Sequence, residues 1–234
     1  MREFARRRGS RRGGFTLVEL LVVIVIITIL MSLLVVGAFL AVERARRIAL
    51  MTELNLLATS IKQYETRYGA YPPDKGANLE PHLKTIFPLR NAAGDAAPTG
   101  LNGAQLLVFC LRGYKPNAMQ PVTGAGERSP LFDFDMGRIV HPTTRAPVDI
   151  GSISPVPLYV PKFGKELPYY YFERGDPANP YVGDSDTTYS STPAIPRLDV
   201  AAKSRPFQVI CGGPDASYAA DSMMSSVDDE LESK

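Results

Sequence analysis

Residues 15–42 read FTLVELLVVIVIITILMSLLVVGAFLAV and carry one formal charge, Glu19. A bilayer core of ~30 Å is crossed by about 20 helical residues, so the stretch is long enough to span one. It is also longer than the apolar region of a secretory signal, usually about 7–15 residues. Nothing in it breaks a helix. All 20 prolines lie at or after Pro72, and Gly37 is the one glycine between Phe15 and Tyr68. The front of the chain therefore predicts a single continuous helix, and the turn-rich remainder predicts a separate fold.

The flanks give the span a direction. Residues 1–14 hold Arg2, Arg6, Arg7, Arg8, Arg11 and Arg12 against Glu3, a net of +5 in a chain whose formal charge is +2. The rest is thus mildly acidic at −3. By the positive-inside bias the N-terminus stays cytoplasmic and the C-terminal part faces outward. Arg44, Arg46 and Arg47 pull the other way, less densely. The near-neutral balance excludes a strongly basic nucleic-acid binder. An apolar content of 45% excludes a disordered polymer.

Glu19 is the anomaly. A carboxylate within a membrane helix costs roughly 2.5–3.5 kcal/mol on insertion scales. Either it snorkels to the helix end or it has a cationic partner. Cleavage just before Phe15 would supply one, an α-amino group four residues upstream, at a helix N-terminus whose dipole also favours an anion. The pair could form within one chain. Between chains it would set neighbours in register.

The run Arg11-Arg12-Gly13-Gly14-Phe15-Thr16-Leu17-Val18-Glu19-Leu20 resembles the class III signal of type IV pilins and type II secretion pseudopilins. The resemblance implies cleavage between Gly14 and Phe15 by a prepilin peptidase and N-methylation of Phe15. It also implies a role for Glu19 in recruiting subunits into a helical filament. Gly13 and Gly14 suit this because a peptidase needs an extended backbone without bulk, although a plain hinge before a membrane anchor would use them as well.

After Val42 the apolar pattern narrows to a seam. Leu50, Leu54, Leu57, Ile61, Tyr64 and Tyr68 recur at three- and four-residue spacing, with charged residues elsewhere. Residues 15–68 then predict one helix of roughly 80 Å, its second half packing the seam on the C-terminal domain. Gly69 and Pro72-Pro73 end it. The phrase Tyr68-Gly69-Ala70-Tyr71-Pro72 resembles the helix exit of the major, G-type pseudopilins.

The remaining residues, 70–234, are enough for one core. A short helix is expected over 104–113, with Asn102 as cap and Gly113 as closer. Strands are expected at 157–160, 168–173 and 206–211, where aromatic residues favour a pleated surface. Long irregular loops are expected at 74–100, 114–150 and 174–205, forming the outer surface. The fold class is α+β: a long N-terminal helix, transmembrane in its first half, packed on a small antiparallel sheet with long loops. The segments are a basic leader (1–14), a membrane and filament-core half-helix (15–42), an amphipathic half-helix (43–69) and a globular domain with an acidic tail (70–234). This domain is longer than that of the usual major pseudopilin, which leaves major and minor subunit both open.

Two features of the domain carry alternatives. The tail 207–218 resembles the last strand and calcium loop of the major class, which nominates Asp215, Asp221, Asp228 and Asp229 as ligands for Ca2+. The other reading is a solvated acidic tail. Cys110 and Cys211 are the only cysteines. An oxidising exterior permits a disulfide between them, and a buried thiol on an apolar helix is as natural. His82 and His141, each beside proline, are expected in loops. No catalytic set, Cys-x-x-Cys pair or phosphate loop stands out, so no enzyme is expected.

The sequence thus reads as a prepilin: a pseudopilin-like filament subunit of a type II secretion system or related pilus. The alternatives are a pilin for adhesion or DNA uptake, and a membrane-anchored extracytoplasmic binding domain. The implied partners are further copies of itself, minor pseudopilins, the prepilin peptidase and an inner-membrane assembly platform, through which an ATPase would act. No nucleic-acid partner is implied. The expected location is the inner membrane, crossed once.

Overall fold

The computed structural model describes residues 16–163, 167–173, 206–212 and 224–225. It divides into two compact units, residues 1–44 and 45–234. The elements are α1 (Leu17–Tyr68), α2 (Leu79–Ile86), α3 (Gly103–Leu111), β1 (Ile139–Val140), β2 (Leu158–Tyr159), β3 (Tyr170–Glu173), β4 (Phe207–Cys211) and β5 (Met224–Ser225). One-turn 3-10 helices occupy Gly76–Asn78 and Met136–Arg138. This is the expected α+β class, a long N-terminal helix with small antiparallel sheets.

In the first unit α1 is apolar on every side from Leu20 to Val42, and its large apolar side chains that are described are exposed, from Leu17 at 79% to Val23 at 45%. It is long and apolar enough to cross a membrane. Its few hydroxyls turn back on the helix itself. Thr28 donates to the Ile24 carbonyl, and Ser32 to that of Ile29 at 2.8 Å. Such bonds satisfy polar groups where no water is available.

In the second unit α1 supplies one wall of the core. Leu50, Leu54, Leu57, Ile61 and Tyr64 are fully buried, as the seam predicts. They share a cluster with Leu106, Leu107, Cys110 and Leu111 of α3 and with Tyr171, Val209 and Cys211 of the sheet. Gly69 and Gly113 follow α1 and α3 at φ 76° and 77°, a left-handed conformation that glycine adopts without strain. Asn102 caps α3 as expected. Its Oδ1 accepts from Gln105 N at 2.9 Å, and Gln105 answers at the Asn102 N–H, completing a capping box.

The larger sheet has the order β3-β4-β5, all antiparallel, with Tyr171 opposite Val209 and Cys211 opposite Met224. Its residues alternate faces. Tyr169, Tyr171, Val209 and Cys211 join the main core, whereas Tyr170, Phe172 and Ile210 pack with Ala104 and Leu158 in a second cluster. β1 pairs with β2 in a separate two-stranded ladder.

Two expected loops are better ordered than the sequence suggests. The 74–100 stretch contains α2, and 114–150 contains β1. One buried carboxylate staples them together. Asp95, wholly inaccessible, accepts from Val122 N (3.0 Å), Thr123 N (2.7 Å), Thr123 Oγ1 (2.9 Å) and Arg90 Nε (2.7 Å). Four donors on one ionised side chain hold its pKa below the usual carboxylate range, although burial alone would raise it. The third expected loop, 174–205, lies outside the described residues.

Candidate functional site

The first helical residue is Leu17, and the residue before it, Thr16, is its cap. Thr16 Oγ1 accepts from Glu19 N at 3.3 Å. In return Glu19 Oε2 accepts from Thr16 N and from Thr16 Oγ1, both at 2.9 Å. This reciprocal pair is a capping box, in which the third helical residue satisfies donors that would be orphaned at a helix start. The anomalous carboxylate thus has a local role that the sequence reading overlooked. The signal was present, since Thr-x-x-Glu ahead of an apolar run is the signature of such a box. Both donors converge on Oε2, and among the described residues none is seen to reach Oε1. The carboxylate also stands in the first turn, where the helix dipole favours it.

The other expected site residues divide into two groups. Gly14 and Phe15, and the calcium candidates Asp215, Asp221, Asp228 and Asp229, lie outside the described residues. Among the described residues no group of three His, Cys, Asp or Glu side chains could hold a metal ion. Cys110 and Cys211 are placed, and the disulfide allowed by the sequence is not formed. Both are separate buried thiols. Cys110 Sγ accepts from Tyr114 Oη at 3.6 Å, and burial pushes its pKa up to about 12.

His82 is a correction as well. It sits within α2, because Pro81 falls in the first turn, where a missing N–H costs nothing. Its Nε2 lies 2.8 Å from Tyr64 Oη, which in turn lies 2.8 Å from Tyr114 Oη. A chain of hydrogen bonds therefore runs from a half-buried imidazole to the Cys110 thiol. Burial lowers the His82 pKa to about 4, so the ring is neutral near pH 7. His141 is in a turn after β1, as expected, where its Nδ1 accepts from Thr143 N and Thr144 N.

A second polar constellation escaped the sequence reading entirely. Glu53, on the buried side of α1, faces Arg138, Tyr159 and Tyr169. Arg138 Nη1 donates to Oε2 at 2.9 Å while its Nη2 donates to Oε1, a bidentate pair. Tyr159 Oη donates to Oε1 and Tyr169 Oη to Oε2, each at 2.6 Å. Arg138 is further fixed by the Val160 carbonyl (3.2 Å), Asp135 Oδ2 (3.2 Å) and the Tyr159 ring, 4.5 Å from its guanidinium carbon. Burial would raise the Glu53 pKa, but the donors outweigh it and hold the carboxyl below its ordinary value. The cluster ties α1 to β2 and to the 135–138 turn, and it borders an open groove of about 630 Å³. Its partners are 85 to 116 residues away in sequence, so no local motif announces it.

Comparison with known proteins bears on the first of these sites. A family profile described as the prokaryotic N-terminal methylation motif matches residues 9–35. No curated protein and no solved structure matches the chain. The matched span covers the end of the arginine-rich stretch, Gly14, Phe15, the Thr16–Glu19 box and the opening of the apolar helix. Residues 9–35 therefore carry the N-terminal methylation signal of type IV pilin-like and pseudopilin precursors, joined to one helix of membrane-crossing length.

Proposed function

We propose that the chain is the precursor of a pseudopilin-like filament subunit, serving a type II secretion system or a related pilus. The observation that carries this reading is the position of Glu19 within the matched motif: the third residue of a helix whose first half is apolar on all sides. A prepilin peptidase cuts between Gly14 and Phe15 and methylates the new N-terminus. Glu19 keeps Oε2 on Thr16 and offers Oε1 to a liberated α-amine, its own or that of a neighbouring copy. In hydrocarbon such a pair is favoured because each unpaired charge is costly there. Apolar helices then bundle as subunits leave the membrane, by van der Waals packing rather than by water exclusion. The resemblance of residues 68–72 to the helix exit of G-type pseudopilins favours the secretion branch over adhesion or DNA uptake. Minor pseudopilins and an inner-membrane platform are the accompanying partners. The acidic tail around Asp215, Asp221, Asp228 and Asp229 is a candidate calcium ligand set.

The test is co-expression with a prepilin peptidase, followed by intact mass and electron microscopy of sheared cell-surface material. We expect loss of residues 1–14 with one added methyl group. Glu19→Ala is expected to be processed yet not polymerised, and Gly14→Glu to remain unprocessed. A chain that keeps its arginine-rich leader in the presence of the peptidase refutes the reading. Normal polymers from Glu19→Ala refute the role of the carboxylate and favour a simple membrane anchor.

A further inference from the structure

A second dense run of arginine follows the apolar stretch. Arg44, Arg46 and Arg47 begin two residues after Val42, and all three are exposed. With the N-terminus cytoplasmic they emerge on the far side, where the positive-inside bias disfavours them. In the second unit the run gains a member from a distant part of the chain. The Arg46 guanidinium carbon lies 5.5 Å from the centre of the Phe163 ring, and Lys162 Nζ lies 6.0 Å from the same point. Phe163 is half-buried and packs against the main core, so its ring is a fixed base for both cations.

An aromatic face attracts a cation only weakly at an exposed site. Two cations drawn to one ring also repel each other. No ion pair among the described residues includes Arg46 or Lys162. Asp133 and Asp135 border the same groove as Lys162 without pairing with it, and Asp135 is taken by Arg138. Glu43 offsets only one of the three arginines beside it. A shared anion would relieve the repulsion, and the chain itself says where that anion is found. Four residues separate Arg46 from Val42, a reach of at most about 14 Å. The polar headgroup layer borders the hydrocarbon directly and is roughly 5–8 Å deep. Anchoring by the apolar helix thus holds these cations at a high effective concentration of lipid phosphate.

We propose that Arg46 and Lys162, set over Phe163, hold the phosphate of one anionic phospholipid in the leaflet where the globular domain emerges. Arg44 and Arg47 add long-range attraction. A phosphate has oxygens for both cations, and a guanidinium can give it two parallel bonds. The proposal rests on the membrane-crossing reading of the apolar helix and is independent of cleavage and polymerisation.

The test uses the full-length, unprocessed chain in micelles of an uncharged detergent. Phosphatidylglycerol or phosphatidylcholine is titrated in, and bound lipid is counted by native mass spectrometry. The wild type is expected to retain phosphatidylglycerol in preference to phosphatidylcholine. Arg46→Gln with Lys162→Gln leaves residues 1–14 intact, so their own pull on anionic lipid cancels in the comparison. This double variant should retain one lipid fewer, the affected site being weakened about thirty-fold by the loss of two interfacial cations. Lys62→Gln with Lys84→Gln removes the same charge from exposed positions elsewhere and should bind as the wild type does. The proposal is overturned by a wild type without preference, by an Arg46/Lys162 variant that binds like the wild type, or by equal losses in the two double variants. Release of the lipid by glycerol 3-phosphate at equal concentration would overturn it too, marking a site for a soluble anion. A chain left uncut by the prepilin peptidase would refute the filament reading and leave this result standing.

Discussion

Replacing Glu53 by alanine should be the most damaging single truncation on the buried face of α1. The side chains of Glu53 and Arg138 are 14% and 12% exposed, so neither recovers full hydration when the other leaves. Glu53→Ala strands the Arg138 guanidinium and deprives the Tyr159 and Tyr169 hydroxyls of their acceptor. Removing one member of a buried pair costs about 3–5 kcal/mol. Two hydrogen bonds to a charged acceptor, at roughly 1.5–3 kcal/mol each, give a similar figure of about 3–6 kcal/mol. The chain has no tryptophan and 11 tyrosines, so tyrosine emission can report urea unfolding directly. Glu53→Met with Arg138→Met should recover much of the loss, because nothing charged remains to be solvated. The acid limb provides a second check. A carboxyl whose folded pKa is depressed stabilises the fold above its unfolded pKa, about 4.3. That contribution fades as pH falls through the lower folded value, and the double variant should lack it. A cost below about 1 kcal/mol for Glu53→Ala, or a double variant no better than the single, would refute the view that these bonds hold α1 in place.

Glu173 should behave in the opposite sense. Burial, with Asp74 adding to it, pushes its pKa up to about 7. The folded state therefore holds a proton that the unfolded state releases near pH 4–5, and stability should fall as pH climbs from there to about 7. Urea midpoints at pH 5 and pH 8 should converge in Glu173→Gln; a difference as large as in the wild type contradicts the assignment. Asp95→Ala removes the acceptor shared by Val122, Thr123 and Arg90, at a cost of about 3–5 kcal/mol. Hydrogen exchange should show the amides of Val122 and Thr123 losing protection before those of β4, and unchanged protection would dismiss the staple. Cys110 should resist iodoacetamide at pH 8 until the chain is unfolded, since its thiol titrates far above that pH. Prompt alkylation in the folded state would show that the thiol is accessible.

Much of this architecture was legible because it is written locally. The three- and four-residue spacing of Leu50 to Tyr64 gives the buried seam, Asn102 and Gln105 give a helix start, and consecutive aromatics give β3. Each depends on neighbours within one or two turns. What escaped depends on distance or on brevity. Glu53 meets Arg138 and Tyr169 only after the chain has folded back on itself. β1 and β5 are two residues each, too short to show alternation. α2 was hidden by Pro81, a residue that breaks helices everywhere except in their first turn. The Thr16–Glu19 box is a different kind of omission. Its pattern is local and readable, but the cost of a carboxylate in lipid points equally to a cationic partner outside the helix and to the threonine three residues before it.

Residues 169–172 are Tyr, Tyr, Tyr and Phe, and all four are buried. Strands usually guard against slippage by greasiness on one side only, so that a slip by one place exposes oily groups to solvent. That safeguard is missing here, because sliding the segment by one position still presents an aromatic ring to either layer. Two phenolic oxygens contribute to the distinction. Tyr169 reaches Glu53, and Tyr171 reaches the carbonyl of Pro72 at 2.8 Å. Slid one place, the segment would offer Phe172, which has no oxygen, to one of those acceptors. Part of the fidelity with which this strand finds its mate is therefore vested in a pair of atoms at its margin, and Tyr171→Phe erodes it while leaving the packed rings in place.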